Sequence, residues 1–496
     1  MRSVRWPVGC WILTMLLLAA ACGSHESAGP APRVQRGIRF VSGDNVTDSV
    51  GAELPLPLII EVRDSSGALA PLATVVRFEP VVDPVHGPEA LVGALALPGF
   101  TAFASGATDA SGRTGALVRL STVPRQVRIV VRVPTLGLQD TALFRAVAGG
   151  VALIELAPRD TTIRSGRSYP IVATVRDRHG NALPSVPTWS AAGTAIGGTV
   201  SSSGVALATA TGRYTVVATA AGVTDTVRFS AVPEATILAH DRSRGEIVTI
   251  GLDGSNRRVQ TRVTDGGIGV RPRWVPGRST VIYSGYAEPF QSVFLLDSAG
   301  TPRPFVNSRP PGISHMADVA PVADGSWVYL AAYDSNCATL EYCLHRVRMD
   351  GTAMELLPAV RGRPEQTVRP SPSPDGRRVA LNTLIAGIAR LRVLDVVTGA
   401  FLPLDVPGAF PQWAPTGEMI AFLEGDGSLS VVNAGGPTPR RIVDGTGYLA
   451  GRAFTWSPDG AWILYNGEQG LTLVHVLERT VVPLPGMGNL VEPSWR

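Results

Sequence analysis

Short apolar segments separated by turn residues run through almost the whole chain. Residues 56–63 form one such segment, and the turn signal Asp64-Ser65-Ser66-Gly67 follows it. Other segments alternate apolar and polar positions, as in Leu391-Arg392-Val393-Leu394-Asp395. Such patterns predict short β-strands joined by tight turns. With 54 Gly and 40 Pro among 496 residues and only 17% charged residues, the chain is predicted to be all-β.

One phrase recurs in the C-terminal half at spacings of 39 to 51 residues. An aromatic or proline anchor is followed by a Pro-Asp-Gly-type turn and a short apolar strand, most clearly in Trp456-Ser457-Pro458-Asp459-Gly460 and Pro372-Ser373-Pro374-Asp375-Gly376. The six anchors are Trp274, Pro321, Pro372, Trp413, Trp456 and Trp495. A period in this range marks the blades of a β-propeller.

A second strand pattern follows each anchor except the last. Its extra copy, around Ile247, lies before the first anchor, whereas Trp495 has no outer strands after it. The two ends of this region are therefore predicted to share one composite blade, which gives six blades and closes the ring without an exposed sheet edge.

The repeated phrase resembles the Trp-Ser-Pro-Asp-Gly repeats of TolB-like propellers, and residues 233–496 are assigned to that domain. The resemblance implies the fold, and it implies an envelope protein that binds other proteins. It does not by itself imply any chemistry.

Two modules are predicted before the propeller. Residues 37–147, with Thr108-Asp109-Ala110-Ser111-Gly112, resemble bacterial Ig-like group 1 domains. Residues 148–232 resemble group 2 domains, with Trp189 in the position of the buried core Trp. The resemblance implies two Ig-like β-sandwiches that act as spacers, and Val232-Pro233-Glu234 is predicted to be a hinge.

The amino-terminal segment has the pattern of an export signal. A positive start and an apolar stretch lead to Leu18-Ala19-Ala20-Ala21-Cys22, which resembles the lipobox of bacterial lipoproteins. The resemblance implies that residues 1–21 are a signal peptide and that Cys22 is lipidated. Because Gly23 and not Asp follows the Cys, an outer-membrane destination is expected, with residues 22–36 as a flexible tether. A plain secretory signal is the alternative.

Charge and cysteine content exclude some functions. The net charge of +4 comes without a basic cluster, so no nucleic-acid partner is predicted. All 44 basic residues are Arg, which excludes a Walker-type loop and Schiff-base chemistry. Cys337 and Cys343 are predicted to form a disulfide in an oxidising compartment, with two free thiols or a metal pair as alternatives. The metal pair is a poor fit because only His345 is close.

The residues that precede the anchors are the candidate site. The positions three before each anchor are Arg271, Asp318, Arg369, Phe410, Ala453 and Glu492. If the repeats are aligned, these side chains meet at one mouth of the central channel and form a mixed polar ring suited to a peptide or a carboxylate. The alternative is that they are solvated rim residues paired with one another.

Catalysis has little support in the sequence. A Gly-x-Ser-x-Gly elbow is absent. A histidine cluster could hold a metal, as in TolB-like polysaccharide lyases, and its candidates are His240, His315 and His475. We predict no catalytic residues, metal or cofactor. The expected protein is a non-catalytic, lipid-anchored outer-membrane protein, facing the periplasm or the cell surface, whose propeller binds an envelope protein or peptide. A glycan-binding adhesive surface protein and a metal-dependent propeller lyase are the alternatives.

Overall fold

The structure is a computed structural model, and most of the chain is described in it. The described residues are 36–97, 99–193, 198–263, 270–287, 290–297, 299–306, 310–337, 342–357, 367–436, 438–445, 454–468 and 470–496. The predicted signal peptide and the lipidation site Cys22 lie outside them, as does the tether up to residue 35. Within the described residues no helix is long and apolar enough to span a membrane. The chain divides into two compact units, Met1–Gly149 and Gly150–Arg496.

The first unit is a sandwich of two sheets. Its elements are β1 (Gly37–Ser42), β2 (Thr47–Ser49), β3 (Leu58–Arg63), β4 (Val75–Pro80), β5 (Val82–Asp83), β6 (Gly87–Pro88), β7 (Ala90–Ala94), β8 (Ala104–Ala107), β9 (Arg113–Leu120), β10 (Arg125–Val133), a 3-10 turn (Pro134–Leu136) and β11 (Leu138–Val147). One sheet has the order β1-β3-β9-β7 and the other β2-β11-β10-β4-β8.

Alternation along β10 shows why these residues form a sandwich. Val127, Ile129 and Val131 are fully buried between the sheets. Arg128 and Arg132 lie between them on the outer face, where they pair with Glu89 and Glu79. Successive side chains of a strand point to opposite faces, so this sequence places one row in the core and one in solvent.

The second unit begins with another sandwich module. Its strands are β12 (Leu153–Ala157), β13 (Thr161–Arg164), β14 (Ser168–Pro170), β15 (Val172–Arg176), β16 (Thr188–Gly193), β17 (Gly198–Val200), β18 (Val205–Ala208), β19 (Gly212–Ala220) and β20 (Val223–Val232). They pair as β13-β20-β19-β16, β14-β18-β17 and β12-β15. Trp189 packs against this core but is only half-buried. Gly204 lies beneath its ring, and a Cβ there would come within 2.7 Å of the indole.

The propeller follows, and its described residues form six four-stranded sheets. Three strands, β21 (Thr236–Asp241), β22 (Glu246–Gly251) and β23 (Arg258–Arg262), precede five complete blades. Blade 1 is β24 (Arg271–Trp274), β25 (Val281–Ala287), β26 (Phe290–Leu296) and β27 (Pro302–Pro304). Blade 2 is β28 (Ile313–Pro321), β29 (Trp327–Asp334), β30 (Tyr342–Arg348) and β31 (Glu355–Leu356). Blade 3 is β32 (Thr367–Pro372), β33 (Arg378–Ile385), β34 (Ile388–Asp395) and β35 (Phe401–Pro407). Blade 4 is β36 (Ala409–Trp413), β37 (Met419–Leu423), β38 (Leu429–Asn433) and β39 (Arg440–Val443). Blade 5 is β40 (Phe454–Trp456), β41 (Trp462–Gly467), β42 (Gly470–His475) and β43 (Val481–Pro483).

The last strand, β44 (Leu490–Trp495), closes the ring. It pairs with β21 in the sheet order β23-β22-β21-β44, and Trp495 lies opposite Ile237. We name this sheet the closing blade. The all-β class, the two sandwiches and the six-bladed propeller with a composite closing blade are thus confirmed.

Neighbouring inner strands are linked by a repeated hydrogen bond. The anchor N–H of Trp413 donates to the Ser371 hydroxyl of blade 3 at 2.8 Å. In the same way Trp495 N–H donates to Thr455 Oγ1 of blade 5 at 3.3 Å. Each acceptor lies one position before an anchor, so the bond links consecutive blades near the axis.

The turn of the repeated phrase has its own hydrogen-bond network. Ser457 Oγ donates to Asp459, and the N–H of Trp462 donates to that same hydroxyl at 2.9 Å. In blade 3 Ser373 and Asp375 repeat the arrangement. The Asp carboxylate therefore satisfies turn donors that would otherwise lack a partner.

The second sandwich is fastened to the closing blade. Arg164 donates to Asp253 at 2.7 Å, to Glu234 at 2.5 Å and to Ser255 at 2.8 Å. Val232 is fully buried in the propeller core at the end of β20. The sequence predicts a hinge at residues 232–234, whereas the structure has a bonded joint there.

Candidate functional site

Four inner strands carry the same irregularity at the position three before the anchor. In β28 the register skips from Ala317 to Ala320, so two residues oppose one partner. The inner strands β32, β36 and β44 skip two residues at the equivalent place. These are β-bulges, which bend a strand and change the direction of a side chain.

The first residue of each bulge has a left-handed backbone. The φ angles are +52° at Asp318, +57° at Arg369, +58° at Phe410 and +51° at Glu492. Residues with side chains rarely adopt this region, and each such case costs roughly 1–3 kcal/mol. One unusual conformation at four equivalent positions therefore fixes the direction of four different side chains.

These side chains contact one another in the order of the blades. Glu492 of the closing blade lies 3.6 Å from Arg271 of blade 1, measured between Oε1 and Nε. Arg271 pairs with Asp318 of blade 2. Arg369 of blade 3 lies 3.8 Å from Asp318 and stacks on Phe410 of blade 4, with Cζ 4.0 Å from the ring centroid. Five of the six predicted residues are brought together; Ala453 lies outside the described residues.

A fifth charged residue joins the polar side. Arg273 lies 3.9 Å from Glu492 and donates to the backbone oxygen of Pro272. We call Glu492, Arg271, Arg273, Asp318 and Arg369 the charged arc. The sequence reasoning missed Arg273, because it compared only the positions three before each anchor.

The charged arc is buried. Its carboxylate side chains are 7–8% exposed and its guanidinium groups 17–22%. Burial, together with repulsion from the neighbouring Arg369, lowers the pKa of Arg271 to about 10. Burial also lowers the pKa of Arg273. The residues pair with one another, as in the predicted alternative, and their arginine side chains are partly exposed.

A cavity of about 230 Å³ opens at this ring. The charged arc lines it through Arg271, Arg273, Asp318 and Arg369. Phe410 and Phe454 also line it, and the Arg369 guanidinium stacks on the Phe410 ring. The cavity thus brings charged and aromatic side chains together in one lining.

A signal for the bulges was present in the sequence. Proline follows the left-handed residue in three of the four copies, at Pro370, Pro411 and Pro493. Proline cannot donate to a sheet ladder, and inside a sheet it is confined largely to edges and bulges. Pro272 follows Arg271 at the same position of blade 1 without a bulge, so proline favours a bulge here but does not determine it.

The predicted histidine candidates are not assembled into a site. His240, His315 and His475 lie in three different sheets, those of the closing blade, blade 2 and blade 5. His475 packs on Trp462 and accepts a hydrogen bond from the N–H of Glu478. In the described part of the chain, no group of three or more His, Cys, Asp or Glu side chains is placed to hold a metal ion.

The cysteine pair has a local structural setting. The structure joins Cys337 and Cys343 in a disulfide at the β29–β30 hairpin of blade 2. His345 is buried beside it and bonds to Asp334 at 3.0 Å. Burial lowers the pKa of His345, although the hydrogen bond that its ring donates to Asp334 opposes this. Neither cysteine lines the described cavity.

Comparisons with known proteins give resemblance in fold only. No protein-family model matches the chain, and no curated protein matches it. TolB from Acinetobacter baumannii is 13% identical with a TM-score of 0.43, over 62% of this chain and 82% of that one. A putative TolB from Agrobacterium tumefaciens is 14% identical with a TM-score of 0.40, over 53% and 98%. An oligogalacturonate lyase from Vibrio parahaemolyticus is 11% identical with a TM-score of 0.35, over 54% and 84%. At these values the comparisons carry no functional argument, and the fold rests on the observed sheet order.

Proposed function

We propose that this is a non-catalytic envelope protein whose propeller binds a segment of a protein or peptide partner at the channel mouth. The observation that carries the proposal is the cavity that the charged arc and Phe410 line together. Concave sites with an apolar wall and a few convergent polar groups are the usual form of a binding site.

The rigidity of the mouth supports binding. The bulges fix the directions of Asp318, Arg369, Phe410 and Glu492 through the backbone, before any partner arrives. A site already held in its bound arrangement loses less conformational entropy on association. A short partner segment with a modest contact area can therefore still bind.

The envelope location and the anchor are parts of the same proposal. They rest on the sequence Leu18-Ala19-Ala20-Ala21-Cys22 and its resemblance to a lipobox. The two sandwiches would then be spacers of the bacterial Ig-like kind between the lipid and the propeller. The Arg164 contacts with Asp253 and Ser255 support that role for the second module, because they hold it firmly against the closing blade.

A glycan is the second candidate partner. An aromatic row on blade 2 favours it, since Tyr333 lies 6.1 Å from Tyr342 and 6.2 Å from His315 between ring centroids. The three side chains are cross-strand neighbours and half-buried. Tyrosine offers both an apolar face and a hydroxyl group to a ligand.

A displayed peptide library tests the proposal. The full-length chain selects peptides, and the selected peptides are titrated against wild type, Arg369→Gln and Arg390→Gln. Arg390 is the matched control, because it lies on the same blade and pairs with Asp405 on the outer strands. Arg369→Gln is expected to weaken binding about tenfold through loss of a charged contact, and Arg390→Gln to leave it unchanged.

Two results would contradict the proposal. One is a selection that enriches no peptide, and the other is a set of peptides that bind both variants as well as wild type. An oligosaccharide panel run in parallel decides the second candidate. Binding of a sugar that is lost in Tyr342→Phe or Tyr342→Ala, but kept in Arg369→Gln, would favour the glycan.

A further inference from the structure

The charges of the mouth do not balance within the described residues. Three guanidinium groups, those of Arg271, Arg273 and Arg369, face the two carboxylates of Asp318 and Glu492. Glu492 is shared between two of the arginines. A buried charge without a full counter-charge is unfavourable, so the mouth gains from an anionic partner.

The lowered pKa values agree with this excess. For both Arg271 and Arg273, burial and repulsion by Arg369 disfavour the charged form, and Glu492 opposes the change without cancelling it. The Nε atom of Arg271 is buried with no hydrogen-bond partner among the described residues, as are Asp318 Oδ1 and Glu492 Oε2. Of these three atoms only Arg271 Nε is a donor, and it is the one that an anion could use.

The size of the cavity limits the group that can enter. Pockets for drug-sized ligands measure about 300–1,000 Å³. The cavity here, at about 230 Å³, is smaller and suits one residue or one chain end. Planar guanidinium groups match the two oxygens of a carboxylate, and the half-buried Phe410 offers an apolar surface to the carbon atoms attached to it.

We infer that the mouth recognises a single carboxylate on a peptide, with its oxygens on the arginines of the charged arc and its carbon chain against Phe410. This deepens the proposed function and rests on it. The carboxylate has two possible sources, the C-terminus of a chain or the side chain of an acidic residue, and both present the same planar anion.

Three small probes test the inference on the full-length chain by ligand-observed NMR titration. They are N-acetyl-phenylalanine, its amide, and the α-amide of N-acetyl-glutamic acid. The free acid is expected to bind at least about tenfold more tightly than the amide, since only the acid makes the charged contact. The tighter of the two acids identifies the source of the carboxylate, and equal affinity means that the mouth accepts either source.

Variants locate the effect. Arg369→Gln is expected to abolish the preference for acid over amide, Arg369→Lys to retain part of it, and Arg390→Gln to retain all of it. Thermal unfolding of each variant shows that the propeller is intact. The lysine variant keeps the charge without the planar fork, and it remains informative if the glutamine variant does not fold.

The inference is overturned if the amide binds as tightly as the acid, if no probe binds, or if Arg369→Gln keeps the preference. These failures are separable from failure of the proposed function. Library peptides whose binding depends on Arg369 but not on any carboxylate would leave the binding function standing and remove only the carboxylate. A selection without mouth-dependent peptides would remove both.

Discussion

The inner strands repeat different features at their two ends: side chains at one end and backbone conformation at the other. At the turn end, Ser373 with Asp375 and Ser457 with Asp459 make the same hydrogen bonds in blades 3 and 5. At the mouth end the repeated feature is the backbone, a bulge with a left-handed residue. Its side chain is an acid in blade 2, a base in blade 3 and an aromatic ring in blade 4.

This difference separates residues that build the ring from residues that can select a partner. A side chain repeated together with its hydrogen bonds is explained by the turn it closes. A side chain that changes on an unchanged backbone is not explained by the fold. Variants at the turn end should therefore change the free energy of unfolding, and variants at the mouth should change binding.

The largest expected effect comes from removing residues 490–496. This deletion takes away the innermost strand of the closing blade, including the buried Trp495, and exposes the edge of β21. We expect the propeller to lose cooperative thermal unfolding, as measured by calorimetry and near-ultraviolet circular dichroism. Loss of a buried Trp alone costs about 3–5 kcal/mol.

The matched control removes only Arg496, which is exposed and leaves β44 whole. It should keep the cooperative transition. If the longer deletion melts like wild type, the closing strand does not hold the ring together. The comparison of the turn end with the mouth end assumes a closed ring, so it would then no longer apply.

The second prediction sets one variant from each end side by side. Asp459→Ala removes the acceptor for Ser457 and for the N–H of Ala461, and we expect it to lower the free energy of unfolding by about 1 kcal/mol without weakening peptide binding. Arg369→Gln should weaken peptide binding and leave the free energy of unfolding unchanged. Its loss of contact with Phe410 is offset by relief of repulsion on Arg271.

Denaturant titration measures the free energy of unfolding of both variants, and peptide titration measures their peptide affinity. A mouth variant that destabilises the chain as much as Asp459→Ala would mean that the charged arc is a structural ion-pair network.

The smallest expected effect is a pH dependence at the turn end. The hydrogen bond from Ser373 lowers the pKa of Asp375. Burial raises the pKa of Asp459, but the bonds from Ser457 and Ala461 outweigh it, so its pKa is also lowered. A folded pKa below the unfolded value of about 3.9 means that the stabilisation is present above that pH and is lost as pH falls through the folded values.

Denaturant titrations at successive pH values below about 5 should therefore show falling stability. Asp459→Asn should fall less steeply than wild type, because one titrating group is gone. Parallel slopes for the two proteins would show that this turn carboxylate does not contribute.

The sequence predicted the ring because its signals are local. Pro and Gly at the turns fix backbone angles within a few residues, so the spacing of Trp413 and Trp456 translates directly into blades. The composite closing blade was predicted because the region begins with an outer-strand pattern that has no anchor before it and ends with an anchor that has no outer strands after it.

The mouth was predicted in position but not in form. Whether Phe410 takes a left-handed φ depends on the partner strand that it bulges against, and the pairing of Arg271 with Asp318 depends on the packing of two blades. The predicted hinge at residues 232–234 stays a prediction. The contacts around it, Arg164 with Glu234 and the burial of Val232, involve residues distant in the sequence and could not be predicted from Pro233.

The closing blade also sets the time at which the ring can form. Ile237 must wait for Trp495, which lies in the last strand of the ring to leave the ribosome. Contacts so distant along the chain form slowly, because the loop between them must be ordered first. Until then β21 presents an unpaired edge on which another chain could add. Slow closure of the ring is therefore built into the connectivity, and assistance by a chaperone would act at this step.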